Sequence, residues 1–128
     1  MSNNQQVTEA FWKAVNQRDW DSFLTYLTTD CEYLYANAKG KQAVLERFNQ
    51  SGGVEMNFHQ NVERITSERD VTVVETIWSG DHTQVMMGIP ASGKHFEIPM
   101  VFVMEFRDGL IKSIKSIFNE DDLTRALT

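Results

Sequence analysis

The sequence predicts an α+β domain in which N-terminal helices pack on one face of a curved antiparallel sheet. Three observations predict it. Apolar residues in the first half recur three and four apart, the spacing of one helix face. The second half alternates apolar and polar residues with the period of two that gives a strand one buried face. The helical signals come first and the strand signals follow, an order that fits α+β rather than alternating α/β architecture.

The elements follow in chain order. Val7, Phe11, Ala14 and Val15 mark a first helix. Trp20, Phe23, Leu24 and Leu27 mark a second, with Asp19 as its N-cap. "CEYLYAN" reads as a short strand. "GKQAVLERFNQ" returns to a helix with Val44, Leu45 and Phe48 on one side, and Ser51 to Gly53 ends it. From Val54 the chain turns to strands. "VEMNFHQNVERITSERD" is long and mixed, which predicts a bend or bulge. "VTVVETIW" is dense in β-branched residues. "SGDHTQVMMGIPASGK" is a turn-rich connection. "HFEIPMVFVMEF" follows as a long strand, whose Pro99 lacks a ladder donor and predicts a bulge or an unpaired spot. "RDG" signals a hairpin, "LIKSIKSIF" a last strand and "NEDDLTRAL" a final helical turn.

The totals bound the function. The 128 residues fit one domain, residues 1–128, large enough to bury roughly 65–70% of its unfolded surface without a disulfide or metal. Eighteen acidic against 12 basic residues give a net charge of -6. With no basic cluster, nucleic acid and anionic membrane are poor partners. The single cysteine, Cys31, allows no internal disulfide and fits a reducing compartment. "MSNNQQVTEA" has neither a basic n-region nor an apolar h-region, and no apolar run spans a bilayer, so a cytoplasmic protein is expected. Three histidines at 59, 82 and 95 lack metal-ligand spacing, and no phosphate-binding loop is present, so neither metal nor cofactor is expected.

Several stretches carry a family likeness. "GDHT" is similar to a Gly-x-His-Thr motif, "GIPASGKHFEIP" to Gly-Leu-Pro-x-Thr-Gly-Lys followed by a strand and Pro, and "FRDGLI" to Phe-Arg-x-x-Asp-Gly-Lys-Ile. "SIFNEDDLTRAL" matches a closing strand and helix, and "RDWDSFLTYLTTDCEY" a first-half pattern. In these the chain resembles the SnoaL-like polyketide-cyclase group of the nuclear transport factor 2-like (NTF2-like), or ketosteroid isomerase-like, superfamily. The resemblance implies a cone: a curved antiparallel sheet wrapped around N-terminal helices. It does not carry over a reaction, because this fold hosts many. Ketosteroid isomerase uses a Tyr, an Asp base and a protonated Asp. Those positions fall on Phe11, Tyr35 and Phe102. The Asp–Arg–Asp set of limonene-epoxide hydrolase is also absent, and the acid of the SnoaL cyclases falls near Ser116.

The residues that remain define a candidate site. Phe96, Ile98, Met100, Phe102, Met104 and Phe106 share one side of their strand. The next strand adds Ser116 and Phe118, the first strand Tyr33 and Tyr35, and helix one Phe11 and Trp12. Two readings stay open: a packed core, or the wall of a pocket for a small hydrophobic molecule. If it is a pocket, Tyr35 would donate to a carbonyl or enolate oxygen, with Tyr33 beside it. His59 is a candidate acid or base. Glu75 becomes a base if it points inward, and a solvated or dimer-contact carboxylate if it points outward. The function expected is small-molecule binding, with proton-transfer chemistry of isomerase, cyclase or lyase type on a polycyclic or terpenoid-like substrate. The alternative is a non-catalytic association module. The opposite side of the strand, with His95, Glu97, Val101 and Val103, also calls for burial and predicts a homodimer.

Overall fold

A computed structural model describes residues 3–51 and 56–128. The expected end of the third helix at Gly52–Gly53, and Val54, lie outside those residues. Helix α1 spans Asn3–Gln17, α2 Trp20–Thr25, α3 Lys41–Ser51 and α4 Glu120–Leu127. Strands β1 (Leu27–Leu34), β2 (Ala38–Lys39), β3 (His59–Glu68), β4 (Val71–Asp81), β5 (His95–Arg107) and β6 (Leu110–Ile117) form one curved sheet in the order β2-β1-β6-β5-β4-β3. Neighbours are antiparallel except β1 and β6, which run parallel.

Local chemistry accounts for most boundaries. Asp19 caps α2, accepting from the Ser22 backbone N–H at 3.2 Å and from its hydroxyl at 2.7 Å. These bonds hold its carboxyl below the usual carboxylate range. Asn119 caps α4 through the N–H groups of Asp121 and Asp122. Acidic residues fill that helix's first turn and Arg125 its last, which complements the helix dipole. The closing segment is thus a full short helix rather than one turn. The β5–β6 hairpin turns at Asp108 and Gly109, both at positive φ (52° and 80°), as its two-residue loop requires. The bulge expected in β3 lies between Val62 and Arg64.

The unpaired spot expected at Pro99 exists on one side of the strand only: toward β4 it pairs opposite Ile77 in an uninterrupted register. The β5–β6 pairing ends at Val101 and Ile117, so Pro99 lies past the last paired residue on that side. Lys112 and Lys115 of β6 do not lie at a sheet edge. The parallel return of β1 makes β6 an interior strand, and Lys112 sits 3.8 Å from Glu105 on the sheet's outer face.

Two apolar cores lie on the concave face. The larger joins α1, α2 and α3 to the sheet through Phe11, Trp12, Phe23, Phe48, Met104 and Ile114. Rings meet there edge-on or tilted, as with Phe11–Trp12 at 5.0 Å and Trp12–Phe102 at 4.3 Å. Each such ring contributes about 1.5–3 kcal/mol through burial. The smaller core packs α4, through Leu123 and Leu127, against Phe58, Phe96 and Ile98. Gly80 makes this second core possible. A Cβ there would lie 2.5 Å from the Phe58 ring and 3.0 Å from Phe96, so only the bare backbone fits.

Candidate functional site

A cavity of about 180 Å³ opens where the two cores meet. Met100 and Phe102 of β5, Ser116 of β6, Tyr33 of β1 and Phe118 just beyond β6 line it. Half of its lining residues are aromatic. The sequence pattern did not single out Asn16, Arg18, Phe48, Phe58, Gln60 or Trp78 as site residues, and they also line the cavity. Sequence carried one usable signal for Trp78: it sits at the inward parity of β4, paired with Ile98.

The polar groups of the wall are mostly committed to holding it together. Asn16, near the end of α1, imitates a neighbouring strand. Its amide donates to the Gln60 carbonyl at 2.8 Å and accepts the Gln60 N–H at 2.9 Å. That ties the helix to the free edge of β3. Arg18 follows α1 at a φ of 55° and donates to the carbonyls of Asn16 (3.1 Å) and Phe58 (2.7 Å). Its cation thereby meets the negative end of the helix dipole. Gln60 accepts from the Thr76 hydroxyl at 2.9 Å and places its Nε2 3.5 Å from the Met100 sulfur.

Tyr33 and Ser116 form the cavity's hydroxyl pair. Parallel pairing of β1 with β6 sets Tyr33 opposite Ile114, which brings its hydroxyl beside Ser116 in the cavity lining. The ring stacks on Phe48 at 4.9 Å. Burial raises the Tyr33 phenol above its ordinary value, against the opposing pull of Ser116 and of the Arg47 charge. The phenol is therefore neutral at physiological pH and able to donate.

The expected catalytic residues are not brought together. Tyr35 lies outside the cavity. Strand β1 ends at Leu34, and Tyr35 takes a left-handed φ of 70° in the following turn, so the alternation that would align it with Tyr33 has stopped. Its side chain is 77% exposed. Glu75 points to the outer face, where it pairs with Arg64 across the β3–β4 ladder. His59 borders the cavity as the first residue of β3, with Nδ1 3.1 Å from the Asn57 carbonyl oxygen. Phe11, Trp12 and Met104 are at most 1% exposed and belong to the solid core under α1, not to the cavity wall. Among the described residues the lining holds no carboxylate, and no group of His, Cys, Asp and Glu is arranged to hold a metal ion.

The other titratable groups have structural roles. His82, fully buried, pins the loop between β4 and β5. Its Nδ1 accepts the Ser92 N–H at 3.2 Å, which leaves Nε2–H to donate to the Ile89 carbonyl at 3.2 Å. His95 is exposed on the outer face between Asp81 (2.8 Å) and Glu97 (3.1 Å), whose hydrogen bonds raise its pKa. Cys31 is buried, and burial pushes its thiol up to about 12, so it packs as an apolar side chain. No helix among the described residues is long and apolar enough to cross a membrane.

Comparison with known proteins agrees with this architecture. The structure superposes on TsrD from Streptomyces laurentii with a TM-score of 0.84 at 21% identity, covering 98% of this chain and 94% of that one. A SnoaL-like polyketide cyclase from Agrobacterium tumefaciens matches with a TM-score of 0.86 at 13% identity over 100% of both chains. An NTF2-like protein from Burkholderia pseudomallei matches at 0.76 and 17% identity, over 100% of this chain and 99% of the other. At these identities the likeness shows the shared cone-shaped fold. None of the curated proteins matches the chain. The sequence pattern of the SnoaL-like polyketide cyclase family, however, fits residues 4–127, nearly the whole chain, and the chain belongs to that family.

Proposed function

We propose that this protein binds a small hydrophobic molecule in the cavity between its two cores. One observation carries the reading: an aromatic-walled space remains open on the concave face, with a single hydroxyl pair, Tyr33 and Ser116, in an otherwise apolar or internally bonded lining. Apolar walls with a few placed polar groups are how small-molecule sites are built. Family membership supports the same reading. The test is a thermal-shift screen of steroids, terpenoids, aromatic polyketides and fatty acids, run on the native chain and on Met100→Trp, which fills the space. A ligand at a hundred times its Kd adds about 2.7 kcal/mol and raises Tm by roughly 10 °C. The shift should appear in the native chain and vanish in the variant. No shift with any class would favour the non-catalytic association module.

Proton transfer on the bound molecule is a second reading, favoured by the position of His59 at the same cavity. Tyr33 would donate to a carbonyl oxygen and His59 would take the proton. Turnover unchanged by His59→Gln would remove that base. The outer face supports a homodimer: Val73, Val101, Val103 and Ile117 form an apolar band across β4, β5 and β6, with Ile117 49% exposed. Sedimentation at micromolar concentration should give a dimer, and a monomer would reject it.

A further inference from the structure

The cavity's dimensions and the hydroxyl pair in its wall narrow the ligand further; this step rests on the binding reading above. Size comes first. A space of about 180 Å³ is close to the roughly 150 Å³ that encloses a benzene ring, and well below the several hundred that take drug-sized molecules. It accommodates one ring or a compact fused pair, not a four-ring skeleton.

Polarity comes second. Both ends of the Asn16 amide are spent on the Gln60 backbone. The Gln60 carbonyl oxygen shares the Thr76 hydroxyl proton with the Met100 carbonyl. Both side chains are thus held in place by the wall's own bonds, and among the described residues the lining offers no carboxylate to meet a ligand cation. The hydroxyl pair is different. Tyr33 and Ser116 each carry one hydroxyl proton, and a bond between them uses at most one. The other is available to an acceptor in the cavity. The wall around it is aromatic, with Trp78 edge-on to Phe58 at 5.3 Å and to Phe118 at 6.0 Å, and the Met100 sulfur alongside. Aromatic edges and a thioether both favour a flat ring.

We infer that the cavity takes a one- or two-ring aromatic carbonyl compound, with its carbonyl oxygen against the Tyr33–Ser116 hydroxyl pair and its ring against Met100, Phe102 and Trp78. This is smaller than the polycyclic substrate the sequence suggests. It excludes amines, for which the lining has no counter-charge.

The experiment is calorimetric titration of the native chain with acetophenone, naphthalene, 2-acetylnaphthalene, benzylamine and a four-ring aromatic ketone. 2-Acetylnaphthalene should bind roughly three- to tenfold more tightly than naphthalene, the size of one neutral hydrogen bond. That ratio should fall to about one in the Tyr33→Phe/Ser116→Ala double variant. Benzylamine and the four-ring ketone should bind at least tenfold more weakly. Equal affinity for naphthalene and 2-acetylnaphthalene in the native chain would overturn the oxygen contact. A four-ring ketone binding as tightly as the two-ring one would overturn the size limit. Either result leaves the cavity a binding site. Failure of every compound, in a chain whose circular dichroism shows it folded, would overturn the binding reading as well.

Discussion

Strand β5 presents one unbroken apolar stripe, yet its parts lie in different surroundings. At one end Met104 and Phe106 are sealed under α1, at 0% and 2% exposure. At the other, Phe96 and Ile98 are sealed under α4. Between them Met100 and Phe102 face a cavity. The stripe itself does not decide between core and pocket. What decides is the cover: α1 reaches over one end, α4 over the other, and neither fills the seam. Closed core and cavity wall thus both occur along the same strand, at different residues.

Truncating one methionine at each place gives the largest effect and the most direct way to break this comparison. Met104→Ala should cost about 2–5 kcal/mol, because it leaves a void in a closed core. Met100→Ala should cost at least 1 kcal/mol less, because its side chain already borders open space. Urea denaturation of the two variants measures both, and equal losses would mean that the seam is packed like the core. Next in size is Gly80→Ala. The new methyl group drives the Phe58 ring aside, at about 1–3 kcal/mol for overpacking. Because Phe58 also lines the cavity, this variant should alter ligand affinity as well as stability.

Two hydroxyl pairs sharpen the comparison at smaller scale. Thr8 and Thr72, 3.0 Å apart and both fully buried, sit beneath the closed end, where Thr72 pairs with Met104. Thr8→Val strands the Thr72 hydroxyl away from water and should cost about 1–3 kcal/mol. Tyr33→Phe removes a hydroxyl that borders the cavity, where water takes its place, and should cost under about 1 kcal/mol. Thermal unfolding of the two variants ranks them, and a reversed order would place Tyr33, not Thr8, in the sealed region.

Much of the frame was legible because it is local. Period two placed the inward residues of β5, Asp19 announced α2, and the Asp108–Gly109 turn announced the last hairpin. The site was only partly legible because it depends on where elements stop and on what meets across the fold. Tyr33 and Tyr35 look equivalent until β1 ends between them. Glu75 could not be oriented from a run apolar on both faces, since the outer-face valines mask the alternation. Asn16, Arg18 and Gln60 are ordinary polar residues in sequence. They become cavity residues only because the end of α1 meets the edge of β3. Phe11 and Met104 were assigned correctly to the concave side, but not to the right depth within it.

The parallel pairing of β1 with β6 has a consequence for the order of assembly. Apart from the two-residue β2, β1 has no partner in the sheet until the penultimate element of the chain exists. Long-range closure of this kind costs loop entropy before any contact repays it, which makes it a slow step in folding. During synthesis the first helices and β1 emerge early, but the space they enclose takes shape only after β6 has left the ribosome. The cavity wall formed by Tyr33 and Ser116 therefore closes late, as the product of the sheet's final join.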